Sequence, residues 1–331
     1  MSKNQLLALF LFGIFSMNPL LAQAATCPDT TQGEIAEDCP WAGVARELSQ
    51  TARTSQDGKD LRLILESQLP ELSFQLKEDS YRNSLKELWG QSNNFDEHAN
   101  GMIVDPAIVK ILAEMMGVPA PLPAPKDRYV HAGAMHTYSY LFSTLKTPYG
   151  YKRARWVHGD IDQGLGLPPE TLSPLTHQGT LFHNLTYFMG RIAFRDDTAK
   201  IKMLEASKKS LPQALQNYDF ESLDVKSVRE VAGSFEMRTD LVKFPQVSGS
   251  SNSHLLIYSV SNPLFGYRLI TAFPVQDGFV SGLLDDSKMG RDKEITTHYN
   301  AYMEGVTGKI VLGSREILTK KARRKNGKRA S

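Results

Sequence analysis

Apolar side chains recur at helical spacing through the first third of the chain. The repeats occupy residues 41–48, 61–69, 81–89 and 108–116. Ser80 is expected to cap the helix that ends at Trp89. Asp105-Pro106 is expected to start the fourth helix, because an acceptor at the N-cap and a proline in the first turn both favour helix initiation. The pattern predicts a helical region over residues 25–118, whose apolar stripes form a core.

The hydrophobic period changes after a proline-rich segment at residues 119–126. Alternate prolines hold a chain extended, so this segment is predicted to be a linker between domains or a strap on one domain. Behind it the pattern favours strands at residues 138–143, 153–157, 230–238, 254–260 and 267–273, a β-like or mixed segment at 181–194, and a short helix near 199–209. Thr147-Pro148-Tyr149-Gly150 predicts a turn between the first two strands. The strands predict an antiparallel meander with one face in solvent.

Together these patterns predict an α+β protein, helical in its N-terminal part and antiparallel and β-rich in its C-terminal part. A β-rich catalytic domain is expected over residues 127–319, followed by a basic tail at residues 320–331. Hydrophobic residues make up 41% of the 331 positions, which is enough for a substantial core. The length suits one large domain or two smaller ones.

Residues 1–24 have the three parts of a signal peptide. Lys3 supplies a positive charge, residues 6–15 form a nearly unbroken apolar run, and Ala22-Gln23-Ala24 is typical of a cleavage site. The apolar run is too short to span a bilayer, so no transmembrane segment is expected after removal of the signal. The sequence predicts a periplasmic or secreted protein, with an uncleaved N-terminal anchor as the alternative.

Cys27 and Cys39 are the two cysteines of the chain. An even number of cysteines in an exported protein favours a disulfide, which would pin the mature N-terminus. The closed loop is short, so the bond would contribute about 3 kcal/mol at most in the chain-entropy model. A cysteine nucleophile is not expected, because the disulfide leaves no free thiol.

Charge is divided unevenly along the chain. The net charge is +2, but residues 320–329 carry seven positive charges and no negative one, which leaves 2 − 7 = −5 for the rest. A basic tail can bind an anionic partner such as nucleic acid or an anionic membrane surface. More often such a tail is a solvated, mobile chain end, and both interpretations stay open.

Five of the eight histidines lie in a stretch that is rich in glycine and aromatic residues. They are His131, His136, His158, His177 and His183. Asp160 and Asp162 follow His158 at alternate positions, which would place the three side chains on one side of an extended chain. The candidate catalytic residues are His131, His136, His158, Asp160 and His183.

Two different chemistries suit these residues. Histidines with one or two carboxylates commonly bind catalytic zinc or non-haem iron, so the same five residues are candidate ligands of a divalent metal such as zinc. A metal-free alternative uses one histidine as general base and another as general acid, with an arginine that stabilises negative charge. The candidate arginines are Arg153, Arg155, Arg191 and Arg195. A purely structural role for the histidines is the third interpretation.

Missing motifs narrow the enzyme class. The chain has no P-loop, no GxGxxG dinucleotide fingerprint and no GxSxG nucleophile elbow. It also lacks an HExxH run, which is the pattern of many zinc proteases. A hydrolase of another type, with its site within residues 131–183, is the leading expectation.

Glu236, His254 and Arg268 lie on neighbouring predicted strands and form an alternative catalytic site. The strands at residues 255–260 and 267–274 resemble the last two strands of the metal-independent ribonuclease fold that bacterial toxins and the EndoU group share. The resemblance covers a short part of the chain. It implies a ribonuclease-like toxin that uses His254 and Arg268, in which the basic tail would contact RNA.

A non-catalytic secreted protein is the remaining alternative. In that case the sheet and the proline-rich strap would present a surface for binding or host interaction, and the histidines would be structural or would respond to pH. A concave pocket beside the histidines would favour the enzyme over this alternative.

Overall fold

The fold combines helices in the N-terminal part with an antiparallel sheet in the C-terminal part, which confirms the α+β prediction. The computed structural model describes residues 46–48, 50–51, 54, 59–90, 95–96, 101–119, 133–143, 145–147, 150–151, 160–172, 182–232, 235–248, 250–263, 266–285, 292–294, 309–311 and 314–320. The signal peptide, both cysteines, His131, His158, His177, Pro-rich residues 120–126 and tail residues 321–331 lie outside these ranges.

Most helices of the described chain precede the large sheet. They are α1 Lys59–Gln68, α2 Pro70–Asp79, α3 Asn83–Trp89, α4 Pro106–Met115, α5 Gly133–Ser139, α6 Asp160–Gly164, α7 Phe182–Ala193, α8 Thr198–Ser207, α9 Gln213–Gln216 and α10 Asp277–Leu283. Short 3-10 helices occur at Tyr140–Phe142, Lys208–Ser210 and Phe220–Ser222. No helix among the described residues is both long and apolar enough to cross a membrane.

Local sequence signals explain how several helices begin and end. The Asp105 carboxylate accepts a hydrogen bond from the backbone N–H of Ala107 at 2.9 Å, and Pro106 opens α4, as predicted. Pro70 opens α2 rather than only ending α1. Ser80 was expected to cap α3, but it follows α2 instead, and Arg82 occupies the N-cap of α3. A three-residue turn therefore links α2 to α3.

The main sheet has five antiparallel strands among the described residues, namely β5 Asp224–Ala232, β6 Phe235–Lys243, β7 Asn252–Asn262, β8 Gly266–Gln276 and β11 Ser314–Lys320. Their order across the sheet is β11-β5-β6-β7-β8. Two-stranded pairs are formed by β1 Phe95–Asp96 with β2 Gly101–Met102, β3 Lys146–Thr147 with β4 Gly150–Tyr151, and β9 Asp292–Glu294 with β10 Lys309–Val311. Thr147 of β3 pairs with Gly150 of β4 at the predicted turn, but these are not the strands predicted at residues 138–143 and 153–157, the second of which lies outside the described residues.

The prediction of one solvated sheet face is wrong. Leu256 and Ile257 are neighbours on β7, so their side chains point to opposite faces, yet both are fully buried. Ile257 belongs to the large core that also contains the helices. Leu256 belongs to a smaller core on the other face, where Val280 of α10 packs against it. The sheet therefore lies between two layers.

Two segments that were expected to be β-like are helical. Residues 138–142 lie at the end of α5 and in the following 3-10 helix, and residues 182–193 form α7. In α7 all residues from Leu185 to Gly190 are buried, so more than one face of this helix packs against the rest of the protein. Residues 230–238 are not one strand, because Ala232 of β5 pairs with Phe235 of β6 across a hairpin. The change from helix to strand comes at Asp224, well after the proline-rich segment.

Candidate functional site

His183 is the member of the predicted histidine site whose surroundings the structure describes. His131 and His158 lie outside the described residues. His136 lies within α5 and Asp160 begins α6, but only their backbone placement is described. Asp160 was considered on extended chain, and it is helical instead. Whether the five residues converge therefore stays a prediction.

His183 lies in the first turn of α7, which packs against both α2 and α3. Its side chain is 3% exposed, and its Nε2 atom has no hydrogen-bond partner among the described residues. Burial, followed by the positive charge of Arg82, lowers the pKa of His183 to about 4. The imidazole is therefore neutral at physiological pH and holds a ring nitrogen that the described protein does not use.

Asp79 is the last residue of α2 and is fully buried. Its Oδ1 accepts hydrogen bonds from Arg82 Nη1 at 2.5 Å and from Gln75 Nε2 at 2.9 Å. Its Oδ2 has no partner among the described residues. Burial raises the pKa of Asp79 to about 6, although Gln75 and Arg82 act in the opposite direction. Desolvation has the larger effect on the pKa, because burial removes water from both carboxylate oxygens while only one of them gains hydrogen-bond donors.

Arg82 connects these two buried groups. The turn between α2 and α3 places it three residues after Asp79, where it forms an ion pair, and its charge also acts on His183. The Arg82 side chain keeps 25% of its surface exposed and lines a cavity of about 390 Å³ between the start of α3 and α8. The three residues are called here the Asp79–Arg82–His183 cluster.

The cluster has the ingredients of acid–base chemistry without a metal. A neutral imidazole can accept a proton, a carboxyl group with a raised pKa can donate one, and a fixed guanidinium can stabilise negative charge. The same Arg82 charge that lowers the pKa of His183 disfavours a divalent cation at that imidazole. Within the described ranges, no three histidine, cysteine or acidic side chains lie close enough to hold a metal.

The alternative site does not come together. On β7, His254 pairs with Val275, whereas Arg268 pairs with Val260, six residues further along the strand. Six residues of strand span about 20 Å. His254 and Arg268 are therefore at opposite ends of the β7–β8 hairpin, too far apart to act on one bond.

Each residue of the alternative site has local partners instead. Arg268 Nη1 donates to Glu87 of α3 at 3.3 Å. Glu236 accepts hydrogen bonds from Tyr267 Oη at 2.9 Å and from Arg229 Nε at 2.8 Å. These contacts connect strands to each other and to α3, which is a structural arrangement.

His254 has a separate polar environment at the start of α10. Its Nδ1 lies 2.8 Å from Ser253 Oγ, which donates to the exposed Asp277 carboxylate at 2.6 Å. Burial lowers the pKa of His254, and the charge of Lys243 acts in the same direction, while Asp277 opposes them. Here the serine bridges the histidine and the acid, so the order of a Ser-His-Asp triad, with histidine in the middle, is not reproduced.

A buried ion network among the described residues connects the end of α7 to the sheet. Asp240 of β6 is fully buried, and its Oδ1 accepts from Arg195 Nη1 at 2.8 Å and from Ser227 Oγ at 2.6 Å. Its Oδ2 accepts from Arg238 Nε at 3.2 Å, and Arg238 Nη1 also donates to Asp196 at 2.7 Å. The network satisfies its charges internally, so we assign it to stability rather than to ligand binding.

The arginines that were expected to stabilise negative charge either form ion pairs with other acidic residues or lie outside the described residues. Arg195 binds Asp240, and Arg191 forms an ion pair with Glu205 of α8. Arg153 and Arg155 lie outside the described residues. The arginine whose charge acts on His183 is Arg82, which precedes the histidine-rich stretch by some fifty positions.

Sequence reasoning missed Asp79 and Arg82. Asp79 follows Leu72 and Leu76 at helical spacing, so it falls on the buried stripe of α2. An acidic residue on an apolar stripe is a signal of a buried, perturbed carboxyl group. No comparable sequence signal marks Arg82, because its position depends on the turn between two helices.

Comparison with known proteins gives no further guide to function. No protein-family model, no curated protein and no solved structure matches this chain.

Proposed function

We propose that this protein is an exported hydrolase whose reaction is carried out by the Asp79–Arg82–His183 cluster. The observation that supports the proposal is that one arginine lies beside a histidine with a pKa lowered to about 4 and a carboxyl with a pKa raised to about 6. Titratable groups whose environments move their pKa values apart are typical of acid–base sites, and Arg82 of this cluster lines a cavity.

The three groups have different roles in the proposed hydrolysis. His183 accepts a proton from the attacking water, because its imidazole is neutral and its Nε2 is unbonded among the described residues. Arg82 stabilises the negative charge that develops on the oxygen under attack. Asp79, protonated below about pH 6, donates its proton to the leaving group.

Export is supported by the sequence features of residues 1–24. A signal peptide would be removed after Ala24 and leave Cys27 and Cys39 in an oxidising compartment. N-terminal sequencing of the protein purified from expressing cells tests this part of the proposal. A mature chain that starts at Ala25 supports export, and a chain that starts at Met1 contradicts cleavage.

The experiment for the hydrolase uses the full chain, purified without chelator and assayed on p-nitrophenyl esters, phosphates and glycosides. We expect His183→Gln to lower the rate on the substrate that is turned over by about 100-fold or more, which is the usual contribution of a general base. His254→Gln is the matched control, since it changes a partly buried histidine outside the cluster. Circular dichroism verifies that both variants fold.

Two results would contradict the proposal. One is equal hydrolysis by the wild type and by folded His183→Gln, and the other is no hydrolysis of any of the three substrate classes. Metal analysis of the same samples covers the zinc alternative. Near-stoichiometric zinc that His183→Gln loses would replace the metal-free mechanism by a site built from His183 with His131, His136, His158 and Asp160.

A further inference from the structure

The cavity beside Arg82 is lined by one charged residue together with polar and apolar residues. Arg82 supplies the charge, the hydroxyls of Ser84, Ser207 and Ser210 and the amide of Asn83 supply polar groups, and Met203 and Ala206 supply the apolar surface. None of these described lining residues is acidic. A cavity of about 390 Å³ lies within the usual size range of small-molecule sites.

We propose that this cavity binds a small organic anion, with a carboxylate or phosphate group on Arg82 and a short apolar part on Met203 and Ala206. Among the described residues, the Arg82 guanidinium gives one nitrogen, Nη1, to Asp79. Its Nε and Nη2 have no hydrogen-bond partner among the described residues, so they remain available for a planar, two-oxygen acceptor, which is the group that arginine binds best.

The ion pair behind the cavity prepares Arg82 for this role. Asp79 is fully buried and holds Nη1 at 2.5 Å, so it restricts the guanidinium without occupying the cavity. An arginine that is already ordered loses less conformational entropy when it binds a ligand. The serine hydroxyls of Ser207 and Ser210 donate to carbonyl oxygens of their own helical turns, and they can rotate to donate to an anion.

As a binding site, the cavity does not depend on the proposed function. Its use as a substrate site does rest on that function, because Arg82 would then bind the substrate and is also the residue whose charge acts on His183. The substrate class would then be small anionic esters, such as a phosphate monoester or an ester that carries a carboxylate. Binding and hydrolysis are measured separately, so that each can fail alone.

Isothermal titration calorimetry of the full chain with phenyl phosphate, benzoate and phenol tests the inference. Phenyl phosphate and benzoate carry the charge, and phenol has the same apolar ring without the charged group. We expect saturable binding of at least one anion, no binding of phenol at the same concentrations, and weaker binding at high salt.

Three variants locate the binding. The double variant Arg82→Gln/Asp79→Asn removes both charges together, so that no buried carboxylate loses its partner, and should weaken anion binding by about tenfold or more. Ala206→Phe fills the cavity without touching the ion pair and should also abolish binding, which keeps the test decisive if the double variant does not fold. Lys110→Gln removes an exposed positive charge of α4 and should bind as the wild type does.

The outcomes are distinguishable. The inference is overturned if the wild type binds neither anion, or if Ala206→Phe and the folded double variant bind as tightly as the wild type. Anion binding that His183→Gln retains, without hydrolysis by the wild type, supports the binding site and removes the proposed hydrolase.

Discussion

Asp79 and His183 should act in opposite senses on the pH dependence of stability. The pKa of Asp79 is about 6 in the folded protein against an ordinary 3.8. Between these values the folded state holds a proton that the unfolded state has lost, so stability falls as pH rises. The pKa of His183 is about 4 against an ordinary 6.5, so there the unfolded state holds the extra proton and stability rises with pH.

The two contributions are of similar size. Each folded pKa differs from its ordinary value by a little over two pH units, and one pH unit corresponds to about 1.4 kcal/mol, so each group changes the free energy of unfolding by about 3 kcal/mol. They nearly cancel in the wild type between about pH 4 and pH 6. The two groups therefore cause little net pH dependence of stability in the wild type, and the dependence becomes measurable when one of them is replaced.

Single substitutions should expose each contribution. Relative to the wild type, His183→Gln should lose about 3 kcal/mol of stability as pH rises from about 4 to 6, because the Asp79 contribution is then unopposed. Relative to the wild type, Asp79→Asn should gain about 3 kcal/mol as pH rises from about 4 to 6, because the rise from His183 is then unopposed. Urea denaturation followed by tryptophan fluorescence measures both profiles.

The double variant Asp79→Asn/His183→Gln is the matched control and should again show a flat difference from the wild type over this range. Single variants that both follow the wild-type profile would refute the reasoning, as would slopes of the reversed sign. Either result would mean that the two side chains are not desolvated as described.

Three further predictions concern the fold. Asp240→Asn removes the buried carboxylate that two arginines share and should cost about 3–5 kcal/mol in urea denaturation, whereas a loss below about 1 kcal/mol would contradict the network. Gly133→Ala should lower the melting temperature, because Gly133 has a φ of 68° and an added Cβ would lie 2.5 Å from the Trp89 carbonyl oxygen. Its control, Gly278→Ala in the open part of α10, should stabilise by about 0.5–1 kcal/mol. Ser259→Ala should leave stability equal or slightly higher, because the buried hydroxyl has no partner among the described residues, and a loss above about 1 kcal/mol would show that it does.

Local sequence signals were sufficient to predict the helices and strands that have one buried face or clear boundaries. The start of α4 at Asp105-Pro106 and the β7–β8 hairpin were predictable, because helix caps, turns and the alternation of polar and apolar residues each depend on only a few neighbouring residues. Helix α7 was not predicted, because its Phe, Thr, Tyr and Ile residues are also common in strands, and a short apolar run does not distinguish a buried helix from a buried strand. The second buried face of the sheet was missed because packing against α10 follows from tertiary structure.

The site was predictable only in part. His183 was a candidate from composition alone, and its burial and neutral state then followed from the packing of α7 against α2 and α3. Asp79 and Arg82 were not found, since they precede His183 by about a hundred residues, and Arg82 acts on His183 only because α7 packs against α2 and α3. Spacing along the sequence carries no information about such contacts unless the intervening fold is known.

The pH–rate profile of the hydrolysis tests the central claim most directly. A base with a pKa of about 4 and an acid with a pKa of about 6 predict a bell-shaped profile of kcat/KM with its maximum near pH 5. Asp79→Asn should abolish the alkaline limb and lower the maximum. A maximum above pH 7, or an alkaline limb that persists in Asp79→Asn, would contradict the assignment of Asp79 and His183 as acid and base.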